Sequence, residues 1–366
     1  MTPGVFIRHN KSINENSQEE FSVLFLTFSN CGFSKQLIAL DSFTQVLEYG
    51  FLKQNEFLYK AIDVYFSNKG KKLYILNFPI EDENYFNILE FDNFISRNCD
   101  NLVDLEIMLA LDLYDPKIYK NILSQRTIVS IQRSINKYCE TNSRLSISDI
   151  CEDFEEQYFD MLGETLIYYP WIKDKTSTLL PPSVYAAALF SKYAHENKFA
   201  TSIANKEILN AVDIQRDLSD YEKQDLISHR VNPVVFIPHQ GVRIWGTKTF
   251  DSNVDTTNEL RVYKYIKRNL YQIAKVYIFE PNNKNLESRV LMEVRGFLFD
   301  LWDKGFLAGS SSDEAYSVTT DIDDINKREN ILSIKVAVAL IKPLEFILIE
   351  LNKVAQDGTQ STLSIQ

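Results

Sequence analysis

The chain has 366 residues, 45% of them hydrophobic and 13% aromatic, and a formal net charge of −11. This composition supports a packed core and excludes a disordered chain, while the acidic balance argues against a nucleic-acid surface, which needs clustered Lys and Arg to neutralise phosphates. No apolar run is long enough to span a bilayer, and the MTPGVFIRHN start lacks the pattern of a signal peptide, so no membrane insertion is expected.

Pro3 to His9 predicts a short strand, and Asn10 to Glu20 a polar connector. A lone terminal strand cannot satisfy its own ladder hydrogen bonds, so it joins a sheet of its own domain or of another chain. Phe21 to Phe28 and Lys35 to Leu40 read as strands. Ser42 is placed to cap a helix running to Tyr49, with Gly50 as its stop. Apolar residues recur at helical spacing from Glu56 to Phe66, and Lys72 to Phe78 follows as a strand, completing a βαβ-type unit. Residues 79–100 are acidic, with Phe86, Leu89, Phe91, Phe94 and Ile95 as apolar anchors. Strands are predicted at Met108–Leu113, Arg144–Ile150 and Thr165–Tyr169, with helices at Ile118–Thr141 and Phe154–Gly163. This alternation makes residues 21–172 an α/β layer domain.

Thr176 to Pro182 reads as a linker, polar and then doubly proline. Val184 to Glu196 is a helix with Tyr185, Ala188, Leu189 and Lys192 on one side, 203–212 is irregular, and Ser219 to Ser228 is a short helix. Val231 to Pro238 is a β-branched run that reads as a buried strand, and Gln240-Gly241 is a turn. Val242 to Phe250 then alternates, with Val242, Ile244 and Gly246 on one face and Arg243, Trp245 and Lys248 on the other. The longest helix covers Thr257 to Tyr277 on a stripe of Leu260, Tyr263, Ile266, Leu270 and Ile273, and a second covers Leu286 to Lys304, stopped by Gly305. Strands at 315–320, 333–341 and 344–351 precede a polar, loose tail from Ala355.

Chemistry-bearing patterns are few. The 4 cysteines, Cys31, Cys99, Cys139 and Cys151, lack CxxC spacing and read as buried thiols rather than a metal or redox site. His9, His195, His229 and His239 have neither HxH nor HExxH spacing. Asp321 to Asp324 lacks the Gly and distal Glu of a calcium loop, and Gly305 to Ser312 matches neither a nucleophile elbow nor a phosphate loop. Neither metal nor cofactor is expected. Trp171 and Trp245 read as core packing, with a binding-site role as the alternative. Arg261, Lys264, Lys267, Arg268 and Lys275 form a cationic stripe on the long helix, either a solvated face or a docking surface for an acidic partner.

The segment Val242-Arg243-Ile244-Trp245-Gly246-Thr247-Lys248-Thr249-Phe250 resembles the "vWGaRTl" signature of contractile-tail sheath proteins, the subunits that coat the tube of contractile phages and related injection particles. Further pieces agree in order: Thr2 to Ile7 resembles "PGVyi", Tyr169 to Ile172 "yPWi", Pro181 to Ser183 "PPSg", and Phe279 to Asn282 "fePN". Phe297 to Gly309 resembles "fL..lw..GaL.G", and Lys342 to Ile347 "kPaEFI". Three departures stand out. Val184 replaces the Gly after "PPS", Lys248 replaces the signature Arg, and Lys192 to Phe199 keeps the family's length but loses its Asp-Arg and Gly.

The resemblance implies an α/β (α+β) fold: a compact sheath-type core of mixed sheets flanked by helices, with extended terminal strand arms. It divides the chain into an arm and linker at 1–20, an outer α/β domain at 21–172, a sheath core at 173–343 and a C-terminal arm and tail at 344–366. It further implies a structural subunit, not an enzyme, that polymerises with itself into a helical contractile tube around an inner tube protein. Baseplate and terminator proteins, or a paralogous sheath protein, are the other implied partners. Pro3, Gly4, Val5, Phe6 and Ile7, together with Leu344, Glu345, Phe346, Ile347 and Leu348, would be the exchanged strands. The 231–250 hairpin would contribute to the host sheet, and the basic stripe would face the tube or a neighbour. The particle would assemble in the cytoplasm as a phage tail or a phage-tail-like injection system, with a plain outer surface because no large insertion lies between about 79 and 165. A baseplate or adaptor component, or an α/β-fold enzyme with its site at strand ends, are the alternatives.

Overall fold

The computed structural model describes residues 21–29, 31–33, 36–115, 122–150, 165–196, 198–250, 254–281, 283–321, 332–342, 350–354 and 360–364. The terminal arms expected at 3–9 and 344–348, the helix expected at 154–163, Cys151 and most of the 321–324 acidic cluster lie outside these residues.

Short apolar runs form the centre of the molecule. β1 (Ser22–Thr27), β3 (Leu73–Asn77), β4 (Leu105–Ala110), β5 (Leu145–Asp149) and β6 (Leu166–Tyr169) are buried along their whole lengths. Strands covered on both faces read as continuous hydrophobic runs because neither face meets water. They form one eight-stranded sheet with β2 (Leu37–Leu40), β10 (Val231–Ile237) and β11 (Gly241–Ile244), in the order β11-β10-β6-β5-β4-β1-β3-β2. Neighbours from β10 to β3 run parallel, and only the edge strands β11 and β2 are antiparallel.

Helices cover both faces. On one, α1 (Glu56–Ser67) and α4 (Pro182–His195) pack on Phe25, Ile75, Leu109 and Ile147. On the other, α2 (Ile88–Cys99) and α3 (Gln125–Thr141) pack on Leu24, Leu76, Met108 and Ile167. α4 does not bury a single side, as its spacing predicts. Pro182 to Ser191 are all buried, which its alanines allow.

The division expected at 172/173 is crossed by the sheet, since β10 and β11 extend it and α4 lies on its face. The expected linker at 176–182 contains a tight turn. The Asp174 carboxylate accepts the backbone amides of Thr176 and Thr178, both at 2.8 Å. That turn joins β7 (Ile172–Asp174) to β8 (Leu179–Leu180) in a small sheet completed by β9 (Ala211–Ile214).

A third core belongs to α6 (Thr257–Val276) and α7 (Lys284–Asp303), which pack with the two-stranded antiparallel sheet of β12 (Tyr316–Asp321) and β13 (Ser333–Val338). β14 (Glu350–Val354) pairs antiparallel with β15 (Gln360–Ser364), so the tail expected to be loose forms a hairpin. α5 (Asp220–Ser228) begins with a capping box between Ser219 and Glu222.

Other expectations shift in detail. The helix expected at 42–49 is a 3-10 turn, Phe43–Leu47, in which the Ser42 side chain makes no cap bond, and Gly50 opens a second turn instead of ending the first. β4 ends at Ala110, not Leu113, because Asp112 turns inward and accepts the amides of Phe28 (2.8 Å) and Ser29 (3.0 Å). Leu89 is 67% exposed and anchors nothing. Tyr263 also faces solvent, while Leu260, Ile266 and Ile273 of its stripe are buried. Among the described residues, no helix is long and apolar enough to cross a membrane.

Candidate assembly surface

The β10–β11 hairpin is built as its sequence predicts, with Val234 opposite Ile244 and Phe236 opposite Val242. Gly241 turns the chain at φ +78, a conformation glycine adopts without steric cost. Val242 and Ile244 are buried, whereas Trp245 is 44% exposed. Trp245 is therefore not a core residue. It follows the parity of Arg243, on the face away from Val242, while Trp171 is buried and donates its indole N–H to Ile150 O at 3.1 Å. The outer edge of β11 is met by a loop: Asn205 N donates to Ile244 O (2.8 Å), and Arg243 Nη1 donates to Asn205 O (2.9 Å).

Beyond Ile244 the strand stops, although alternation predicts it to Phe250. The buried Asn232 side chain on β10 takes over the pairing. Its Nδ2 donates to Ile167 O (3.1 Å) and Lys248 O (2.9 Å), and its Oδ1 accepts Lys248 N (2.7 Å). Gly246 passes so close that an added Cβ would lie 2.7 Å from Asn232 Oδ1 and 2.9 Å from Asn232 Cα. Thr247 O then accepts Thr257 N at 2.7 Å, in the first turn of α6. Lys248 Nζ pairs with Asp255 at 2.9 Å, and that hydrogen bond holds the Asp255 carboxyl below the usual range. The Trp-Gly-Thr-Lys-Thr segment is thus a belt fastening the sheet to α6.

The cationic stripe of α6 does not form one exposed face. Arg261 is fully buried, and its Nε and Nη2 donate to the two oxygens of Glu106 on β4. Its remaining donors reach Phe190 O (2.9 Å) and Phe199 O (3.2 Å), with the guanidinium 4.1 Å from the Phe199 ring centre. Lys264 is buried too and donates to Arg144 O at 3.0 Å. Lys267 and Arg268 are half-buried, and Arg268 lies over the Tyr265 ring at 5.8 Å. Arg261 turns inward because Glu106 sits in an apolar strand and a buried carboxylate demands a partner, whereas Lys264 is held by the Arg144 carbonyl. Glu106 within LEIMLA was the sequence signal for this.

Sequence reasoning did not single out β12–β13 as a sheet apart. Tyr316, Val318 and Thr320 share one face with Val338, Val336 and Ile334, and this face packs on α7. Arg295 Nη2 reaches Val318 O (3.2 Å), and Thr320 Oγ1 donates to Glu287 (2.9 Å). Among the described residues no third strand pairs beside either β12 or β13. Two strands alone are a marginal sheet, and an edge without a neighbouring strand is a place where another strand can add.

Titratable groups lie elsewhere. Asp149, at the end of β5, is fully buried and accepts Ser183 N at 2.8 Å in the first turn of α4, and burial pushes its carboxyl up to about 7. Cys31, Cys99 and Cys139 are free and buried, and burial raises all three thiols, Cys99 and Cys139 to about 12. Among the described residues no group of His, Cys, Asp and Glu side chains is arranged to hold a metal.

Residues 123–250, from the start of α3 to the end of the belt, match the family model described as the phage tail sheath protein central domain. No curated protein matches the sequence. The fold aligns over 98% of this chain and 98% of a chain in the contracted PVC sheath complex of an extracellular contractile injection system, at 20% identity and a TM-score of 0.73. It also aligns with a chain of the anti-feeding prophage baseplate (18% identity, 96% and 99% of the two chains, TM-score 0.75). A third match is the sheath tail protein from Listeria innocua (9% identity, 96% and 95%, TM-score 0.61). The overall fold is shared with these structures. Residues 123–250 thus match the phage tail sheath central domain, within a chain whose fold is that of sheath-protein structures almost from end to end.

Proposed function

We propose that the protein is a structural sheath subunit. It polymerises into a helical contractile tube around an inner tail tube and drives that tube outward by contraction. The observation that carries this reading is the β12–β13 sheet, which stands apart from the main sheet with no strand paired at either outer edge among the described residues. Terminal strands from two neighbours, residues 3–9 of one and 344–348 of another, would add to those edges. Main-chain hydrogen bonds then supply affinity, and alternating side chains supply specificity. β12–β13 suits this role better than the 231–250 hairpin, because Asn205 already engages the outer edge of β11.

A head-to-tail contact of this kind generates an open helix. The connector at 10–20 and the one near 342 would keep subunits linked while their bodies rotate from a metastable extended packing to a contracted one. No catalytic step is part of this cycle. The inner tube protein, baseplate and terminator proteins, and a paralogous sheath protein are the partners it implies, within a phage-tail-like particle assembled in the cytoplasm. A second reading, a sheath-fold component that remains at the baseplate without polymerising, is favoured by the likeness to a chain of the anti-feeding prophage baseplate.

Negative-stain electron microscopy of the purified protein, alone and with its tube protein, separates the two. Long ridged tubes support the sheath, and rings or small oligomers under both conditions support the baseplate component. Removing residues 1–16 is expected to leave a folded body that cannot polymerise. Normal tubes from that variant would sink the strand-exchange mechanism.

A further inference from the structure

Among the described residues, two exposed apolar surfaces are complementary. The first is the tip of the α6–α7 hairpin, where Val276 is 60% exposed and Phe279 is 84% exposed. Phe279 sits at φ 73, a left-handed conformation that a bulky side chain adopts only at a steric cost. The tip is held in place. Tyr277 donates its hydroxyl to Glu293, Arg289 pairs with Glu280 and lies 5.5 Å from the Tyr277 ring centre, and Glu280 N donates to Tyr277 O at 3.2 Å. Burial within the chain does not offset the strain. The rim of this apolar point carries a positive excess: Arg289 neutralises Glu280, and Lys275 and Lys284 outnumber Glu293. No Asp or Glu occurs from Leu260 to Phe279, and Lys275 and Lys284 are exposed on either side of the tip.

The second surface is residues 81–92. Tyr85 is 87% exposed and Leu89 is 67% exposed. Glu81, Asp82, Glu83, Glu90 and Asp92 surround them, and no Lys or Arg occurs from Leu73 to Ser96. This surface is preformed as well. Asn87 caps α2 by accepting Leu89 N (2.9 Å), and Glu83 is tied to Ser124 N (2.9 Å).

The 81–92 surface is an apolar centre ringed by carboxylates, and the tip is an apolar centre whose rim carries a cationic excess from Lys275 and Lys284. Neither covers the other within one chain, since Phe279 and Tyr85 are both bare. We propose that they dock between copies, the α6–α7 tip of one chain seating on the 81–92 surface of the next. The charged rims steer the approach, and the apolar centres lose their water on contact. Two different patches meet, so the contact repeats head to tail, as a helical assembly requires. This inference rests on the sheath reading above.

The test places a photoreactive benzophenone amino acid at position 279 of the full-length chain. Irradiated assemblies are expected to yield adducts between two copies that map to peptides covering 81–92, and unassembled protein to yield none. Adducts elsewhere on the chain, adducts to another protein, or none from assembled particles would overturn the contact. In parallel, Phe279→Ser and Glu90→Lys should each raise the concentration needed for assembly about tenfold, with unchanged thermal unfolding because both positions are exposed. Assembly of both variants at the wild-type concentration also overturns it. Wild-type protein that never assembles, even with its tube protein, overturns the sheath reading itself and this contact with it. The two failures are therefore distinct.

Discussion

Arg261 and Glu106 lie 155 positions apart and form a bidentate pair, Nη2 to Oε2 at 2.9 Å, with 0% and 4% of their side chains exposed. The pair joins α6 to the middle of the eight-stranded sheet. The guanidinium also donates to the Phe199 and Phe190 carbonyls and lies against both rings, so four hydrogen bonds offset the desolvation of the charge.

Removing one member of this pair strands the other. Glu106→Gln and Arg261→Met are each expected to lower unfolding stability by about 3–5 kcal/mol, and the double variant Arg261→Met/Glu106→Leu to recover much of the loss. Denaturant midpoints of the three variants measure the cycle. Single variants within about 0.5 kcal/mol of wild type would mean the pair is dispensable.

Two glycines should respond oppositely to the same change. Gly246→Ala drives a methyl into Asn232, whose backbone cannot retreat, and should cost about 1–3 kcal/mol. Gly296, in mid-α7, has nothing within 4 Å of the added Cβ, so Gly296→Ala should stabilise by up to about 1 kcal/mol through helix propensity. Melting temperatures of the two variants give the comparison directly.

The Asp149 carboxyl is raised from 3.8 to about 7 by burial in the folded chain. Its contribution to stability is fully present below about pH 4, where both states hold the proton. It is lost as the pH rises toward 7, because the unfolded chain releases the proton first, at up to about 1.4 kcal/mol per pH unit. Asp149→Asn should flatten stability against pH across this window, since the amide oxygen can still accept Ser183 N. A wild-type profile with the same slope as the variant would refute the assignment.

The two tryptophans separate by position. Trp171→Ala removes a buried indole and its hydrogen bond to Ile150 O, at about 3–5 kcal/mol. Trp245→Ala removes a half-exposed one and should cost much less, about 1 kcal/mol. Chemical denaturation of each variant distinguishes them, and equal losses would place Trp245 in the core after all.

The parts legible in the sequence were those decided locally. The parallel strands show as apolar runs, the α5 start as Ser219 three residues before Glu222, and the hairpin turn as Gly241. What was hidden depended on partners distant in sequence. Arg261 and Lys264 look like a wet face until Glu106 and the Arg144 carbonyl are beneath them. Trp245 looks like core until the chain leaves the sheet through the belt, because nothing near it in sequence reveals that Asn232 will take the ladder's place. Leu89 and Tyr263 fit helical periodicity yet face outward, since periodicity gives the angle around a helix but not the width of the buried stripe.

The place where Arg261 grips the sheet sets how the body would bear load. β4, which carries Glu106, is paired on both sides, with β1 over Ser22 to Leu26 and with β5 over Leu145 to Ile147. A pull on the β12–β13 ribbon would pass through α7 and α6 into the interior of the sheet, not to its rim. Drawing β4 along its own axis would shear two ladders at once, whereas an edge strand would peel from one neighbour bond by bond. In a sheath assembled as proposed above, a tug on the ribbon would therefore turn the whole body before it tore a strand loose.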